Sequence, residues 1–298
     1  MTNDQCTPEY WFWIGTAFYS CFLLNEIIVP YFSGLWFKNY DQLKRPLYFE
    51  WNGRCTSTFH AIVVCTCSIW CLLFHDELWT NKLFNTDCLS RNTLAVSCGY
   101  MIYDLITMIW YSRGVPLLTY IVHHLVVIIG DILILKHNFG MFYVHYKLLT
   151  ELSTPLVNLR WFILRVGYSP KHPAFSLTTL ALCACFVTVR LIGSIPYWVW
   201  LQQSVTSLTD PDQIKTCETY KPVFYVLSIL LDCLNVAWSS ILVFRAMRSL
   251  KDLKVHYRSK QHNGEISFEQ TYEIELNLFY NARLLISSNI AESSDGVR

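Results

Sequence analysis

The sequence predicts an all-α fold, a multi-pass transmembrane bundle of seven helices, and three observations predict it. Apolar residues fill 53% of the 298 positions and charged residues only 15%, whereas an ordinary soluble domain carries roughly 25% charged residues. Apolar stretches recur at 10–32, 57–75, 93–111, 117–135, 174–200 and 222–246, each near the ~20 residues a helix needs to cross about 30 Å of hydrocarbon. Lys and Arg concentrate in alternate loops, as the topology of a membrane protein requires.

The seventh span, Phe139 to Leu164, contains His145, Lys147, Glu151, Pro155, Asn158 and Arg160, and hydropathy alone passes over it. Loop charge reveals it. With seven spans, the loops at 33–56, 112–116 and 165–173 and the tail from Arg245 through Lys260 hold 13 Lys and Arg, against 5 on the opposite side. With six spans the division weakens to 13 against 7, so seven is favoured and the N-terminus lies outside the cytosol, with the C-terminus inside. Residues 1–37 carry no Lys or Arg, and the first segment reads as an anchor rather than a cleaved signal.

Composition also excludes function classes. The 23 Lys and Arg nearly balance the 22 Asp and Glu, so no basic excess exists to neutralise the phosphates of a nucleic acid. Most of the twelve cysteines lie within apolar runs and act as small hydrophobes. The pairs Cys65 with Cys67 and Cys183 with Cys185 fall about 200° apart on a helix, which argues against a metal site. Cys6, Cys88 and Cys217 fall in non-cytosolic segments, where a disulfide such as Cys88 to Cys217 is compatible with oxidising conditions. The tail from about residue 247 opens with a basic flank (Arg248, Lys251, Lys254, Arg258, Lys260), read first as a positive-inside signal. Beyond Asn263-Gly264 it alternates acidic and apolar residues, including Glu269, Glu273 and Glu275, in a surface helix or a disordered run.

Ionisable residues at bilayer depth are expensive and face protein or a water-filled cavity. Here they include Glu26, His60, Asp104, His123, His124, Asp131, His145, Lys147, Glu151, Arg190 and Asp232, enough to imply a polar interior. The third and fourth spans are joined by only Ser112 to Pro116 and must form an antiparallel hairpin. Asp104 lies seven residues before Tyr111, and His124 seven after Leu117, so the two meet at one depth, nearer the cytosol. Within the fifth span Lys147 and Glu151 are four apart, the spacing of an ion pair on one helix face. Arg190 and Asp232 sit near mid-membrane on the sixth and seventh spans and are mutual partner candidates.

At Glu50-Trp51-Asn52-Gly53-Arg54 with His60, Gly99 to Leu105, His123-His124, Leu148 to Phe162, and Asp232 to Val236, the chain resembles the TLC-domain family over about residues 45–246. The resemblance implies a six-helix core preceded by one extra helix, so that residues 1–44 carry the extra helix, 45–246 the domain and 247–298 a cytosolic tail. It also implies an endoplasmic-reticulum or related endomembrane protein concerned with membrane-lipid homeostasis. Ceramide synthases, members of that family, transfer an acyl group from acyl-CoA to a sphingoid base and use paired histidines, which His123 and His124 match. Where they carry two carboxylates, this chain has Thr150-Glu151 and then Thr154.

Two readings of function follow. In one, a polar cavity binds a membrane lipid, the lipid-contact candidates being His60, Asp104, His124, Asn158 and Arg190. In the other, an acyl-CoA-dependent acyltransferase draws its catalytic groups from His123, His124, Asp104 and Glu151, an imidazole acting as base or nucleophile beside an orienting acid. No metal or cofactor is expected under either. The third span ends Trp110-Tyr111-Ser112-Arg113 without the triplet of a seven-helix receptor, and the scattered histidines do not form di-iron boxes. The topology yields the first prediction: tags at the two ends should give opposite results in protease protection. Finding both ends on one side would remove the fifth span.

Overall fold

The computed structural model describes residues 9–111 and 116–262; Cys6, the turn at 112–115 and the acidic-apolar tail beyond His262 lie outside them. Six helices are long and apolar enough to cross a membrane: α1 (Tyr10–Trp36), α2 (Arg45–Phe74), α3 (Cys88–Tyr111), α4 (Leu117–His137), α6 (Pro173–Thr206) and α7, which runs without interruption as Pro211–His262. Between α4 and α6 lies a seventh rod, α5 (141–165), built of Met141–Leu148, a 3₁₀ stretch Leu149–Ser153 and Thr154–Arg165. Every long element among the described residues is helical.

The course of α5 follows from its partners. His145 meets Ser68, Asn158 meets Thr58 and Arg54, and the Phe162 ring meets that of Trp51. Rising numbers on α5 thus match falling numbers on α2, and the polar rod runs antiparallel to an apolar one through the same thickness. A tight reversal starts it. Asn138 and Gly140 take positive φ (51° and 85°), and the Gly140 amide donates to Leu83 O at 2.7 Å. A side chain at Gly140 would be strained in that conformation and would press on the Phe224 ring.

Two aromatic layers close the ends of the bundle. Around Phe142, Tyr143, Tyr197 and Leu201, at the end where α3 begins, Trp79 and Trp200 stack edge to face. At the opposite end Trp51, Val29 and Tyr40 are packed by Phe37, Trp161 and Phe162. The Glu50 to Arg54 motif fastens this second layer. Trp51 donates to Ser33, Asn52 accepts from Tyr40 and donates to Asn25 O, and Arg54 bonds Glu50 and Asn158 while covering the Trp161 ring. Asn25 O is reachable because Leu24–Ile28 is a π-helical turn, whose extra residue disturbs the ordinary carbonyl ladder.

Outward-facing residues are apolar along the rods, with Trp110 72% and Leu73 67% exposed, a surface suited to acyl chains rather than water. Helices overrun the apolar windows at both ends. α7 continues sixteen residues past 246 because Lys, Arg, Leu and Met are good helix formers in water, and hydropathy marks only the immersed part.

At the N-terminus of α3, Asp87 accepts from the Ser90 amide and hydroxyl and contacts His75. Burial raises its carboxyl pKa, but these hydrogen bonds and His75 outweigh burial and hold it below the ordinary value. Cys88 beside it is disulfide-bonded. Its partner is not Cys217, which is a free thiol buried in the first aromatic layer; the Cys88 to Cys217 expectation is corrected accordingly.

Helix α1 approaches α3 closely at Gly99, where an added Cβ would stand 2.3 Å from Ile14 O and 2.8 Å from the Ala17 Cβ. Backbone cannot yield there as a flexible side chain would. Gly99→Ala should therefore cost about 1–3 kcal/mol, the usual price of overpacking, and lower the melting temperature of the detergent-solubilised protein. An unchanged melting temperature would mean that α1 does not pack on α3 in this way.

Candidate functional site

Between the two aromatic layers lies a belt of polar side chains. On the α3–α4 hairpin, His124 Nε2 stands 2.8 Å from Asp104 Oδ2, and His124 Nδ1 stands 2.8 Å from Tyr120 O. A carbonyl only accepts, so Nδ1 carries a hydrogen. The contact with Asp104 then needs a second proton, on the imidazole or on the carboxyl, and the pair holds it jointly. His60 is buried and stacks on the Tyr100 ring with centroids 3.7 Å apart, its Nε2 without a hydrogen-bond partner.

Two interhelical ion pairs cross the belt, with partners other than those expected. Lys147 on α5 bonds Asp232 on α7 at 2.6 Å, and its ammonium lies 4.3 Å from the centre of the Tyr197 ring. Asp232 also accepts from the Trp198 indole at 2.8 Å. Arg190 on α6 faces Glu151 at 3.5 Å and donates to Asn235 and Ser153. The Lys147 to Glu151 and Arg190 to Asp232 pairings are therefore both corrected. Helix irregularity explains the exchange. The 3₁₀ stretch Leu149–Ser153 advances about 120° per residue rather than 100°, turning Glu151 off the face of Lys147, and Arg190 sits on a π-helical turn, Thr188–Ile192.

Both Glu151 oxygens are occupied, since Thr154 donates to Oε2 at 2.6 Å while Arg190 faces Oε1. Asn158 is equally committed: its amide donates to Arg54 O and Thr58 and accepts from the Arg54 guanidinium. It serves as a fastening between α2 and α5.

Between the belt and the first aromatic layer, α3 to α7 line a partly open cavity of about 90 Å³, room for the end of a chain rather than for a whole lipid. Its walls are largely apolar, with Val126, Val127, Ile134, Leu227 and Leu231 among them. Polar groups reach it from His123, Asp131, Lys147, Thr150, Glu151 and Arg190. Of the residues picked out from the sequence, His123, Glu151 and Arg190 thus line the cavity, whereas His60, Asp104, His124 and Asn158 do not.

The His123 imidazole is buried, with Nδ1 unpartnered and its ring 5.6 Å from that of Trp238. Asp131, 2% exposed, has an unpartnered Oδ2. From the sequence Asp131 is an intramembrane acid outside the candidate site residues. Its spacing puts it seven residues after His124 and so nearly in line with that residue, while His123, eight residues away, stands about 80° round α4; no local signal joins it to His123 in the cavity wall.

The chain matches the TLC domain model over residues 50–243. It is 28% identical to human TLC domain-containing protein 4 over 74% of this chain and 83% of that protein. To TLC domain-containing protein 4-B of Danio rerio it is 26% identical over 74% and 80%, and to TLC domain-containing protein 4 A of Dictyostelium discoideum 25% over 72% and 81%. No solved structure matches it.

The exchanged ion pairs predict a specific rescue. Either Lys147→Glu or Asp232→Lys alone leaves like charges buried together, at a cost of about 3–5 kcal/mol, and should sharply reduce monodisperse protein after extraction. The double reversal should recover at least half of the loss, the Trp198 hydrogen bond remaining broken. Rescue of Lys147→Glu by Glu151→Lys instead would restore the pairing within α5.

Proposed function

Because the chain belongs to the TLC domain family, we propose that it is a multi-pass endomembrane protein that binds a membrane lipid in the α3–α7 cavity and acts in membrane-lipid homeostasis. The observation that carries this reading is the cavity itself: an apolar chamber within the bundle whose rim and floor hold a few buried polar groups. Apolar walls suit acyl chains, and the polar groups suit the lipid's polar part.

An orientation with the N-terminus lumenal and the C-terminus cytosolic accords with the charge division of the loops. It also accords with the disulfide at Cys88, which lies on the side assigned to the lumen. The endoplasmic reticulum is the compartment proposed, on the strength of the family.

The acyltransferase reading draws on His123, an imidazole with a free nitrogen facing the cavity. Against it stands a separation of parts. The imidazole oriented by a carboxylate is His124, outside the cavity lining, while the one inside has no such carboxylate. Acyl transfer by general-base chemistry needs both properties in one group. Binding is therefore the preferred reading.

Filling the chamber tests it. Lipid that co-purifies with the wild type, identified by mass spectrometry after gentle extraction, should fall at least fivefold in Val127→Trp at equal yield of folded protein. An identical lipid complement in both proteins would sink the binding reading. Turnover of long-chain acyl-CoA by the wild type, abolished in His123→Gln, would replace it with the enzymatic one.

A further inference from the structure

The polar atoms facing the cavity differ in how fully they are used. Lys147 is held by Asp232, and Arg190 by Glu151, Asn235 and Ser153. Each cation already has its counter-charge, so an acidic headgroup placed there would be an uncompensated buried charge. Ser228, on the α7 wall, is engaged with the Tyr197 hydroxyl at 2.7 Å. Unused atoms remain at two places on α4: His123 Nδ1 and, two turns or about 12 Å deeper, Asp131 Oδ2.

An unpartnered buried carboxyl oxygen is costly and calls for a donor. Room exists beside it, because the preceding residue is Gly130, where even an added Cβ would meet only the Leu227 side chain, at 3.7 Å. The number of acceptors limits the donor's chemistry. An ammonium brings three hydrogens and a charge, and a hydroxyl brings one hydrogen and no charge. In apolar surroundings a hydroxyl leaves no donor bare and adds no charge, whereas an ammonium has three hydrogens to place against the two oxygens of one carboxyl and buries an ion pair at a desolvation loss.

We propose that Asp131 is the polar anchor of the cavity and that it accepts a hydrogen bond from the hydroxyl of an uncharged, long-chain lipid. The hydroxyl end then lies deep, toward the aromatic layer of Tyr143 and Phe224, and the alkyl chain runs along Val127, Leu227 and Leu231 toward His123. This assignment rests on the cavity being the lipid site.

The experiment uses the full chain in nanodiscs and photoreactive probes with one long alkyl chain and the same mid-chain diazirine, ending in a hydroxyl, an ammonium, a carboxylate or a plain methyl. Labelled residues are located by peptide mass spectrometry. The hydroxyl probe should label the cavity stretches of α4 and α7 about tenfold more than the methyl probe, the worth of one strong hydrogen bond. Asp131→Leu should remove that advantage, and Asp131→Asn, which keeps an acceptor oxygen, should retain most of it. Preference for the ammonium or carboxylate probe would overturn the proposal. So would a hydroxyl preference that survives Asp131→Leu, or equal cavity labelling by all four probes, which leaves the cavity reading standing while the anchor fails. Absence of cavity labelling by every probe would remove the cavity reading and the anchor with it.

Discussion

Within a bilayer no water is at hand to satisfy a polar group, so the charges and most of the polar groups that the chain carries into the membrane are paired inside the protein. Much of this structure follows from meeting that requirement across helices. Lys147 reaches Asp232, Arg190 reaches Glu151, and His124 reaches Asp104, tying α3 to α4, α5 to α7 and α6 to α5. Hydrophobic burial gives little preference among helix partners when lipid is as apolar as leucine. Polar pairing supplies that choice, and the two aromatic layers fill the space above and below it.

The helices are deformed where polar residues must be brought to bear. Asn25 and Glu26 sit on one π-helical turn, Arg190 on another, and Glu151 in a 3₁₀ stretch. Each deformation redirects a side chain by tens of degrees, or opens a carbonyl, as at Asn25 where Asn52 takes it. Such irregularities recur at functional sites in other helical proteins. Here Arg190 and Glu151 both reach the cavity, while the turn at Asn25 serves the closing layer.

What was legible in the sequence depended on how far apart the interacting residues lie along the chain. Asp104 and His124 could be paired because a short turn joins their helices and equal counts from it mean equal depth. The polar rod 141–165 was legible through loop charge although hydropathy missed it. Lys147 and Glu151 lie apart because the helix is not regular between them, and the one letter that marks the break is Pro155, which cannot donate to Glu151 O and so disturbs the turn before it. Arg190 finds Glu151 rather than Asp232, since the rotation of α6 against α7 is not encoded locally. His123 and His124 are adjacent and equally conspicuous as letters, yet one faces the cavity and the other does not. That Asn158 ties α2 to α5 is visible only once Arg54 and Thr58 stand beside it.

The length of α7 carries a mechanical consequence. Its 52 residues form one rod of about 78 Å at 1.5 Å per residue, more than twice the thickness of the hydrocarbon it crosses. Phe224, Leu227, Ser228, Leu231 and Asn235 on it form one wall of the cavity, while the stretch past residue 246 stands clear of the apolar window. A rod without a joint between those two regions acts as a lever. Ser249 and Leu253 keep one face of that end buried, so a displacement at the basic end of the helix, by a membrane surface or by another protein, is carried along the rod to the cavity wall some tens of ångströms away.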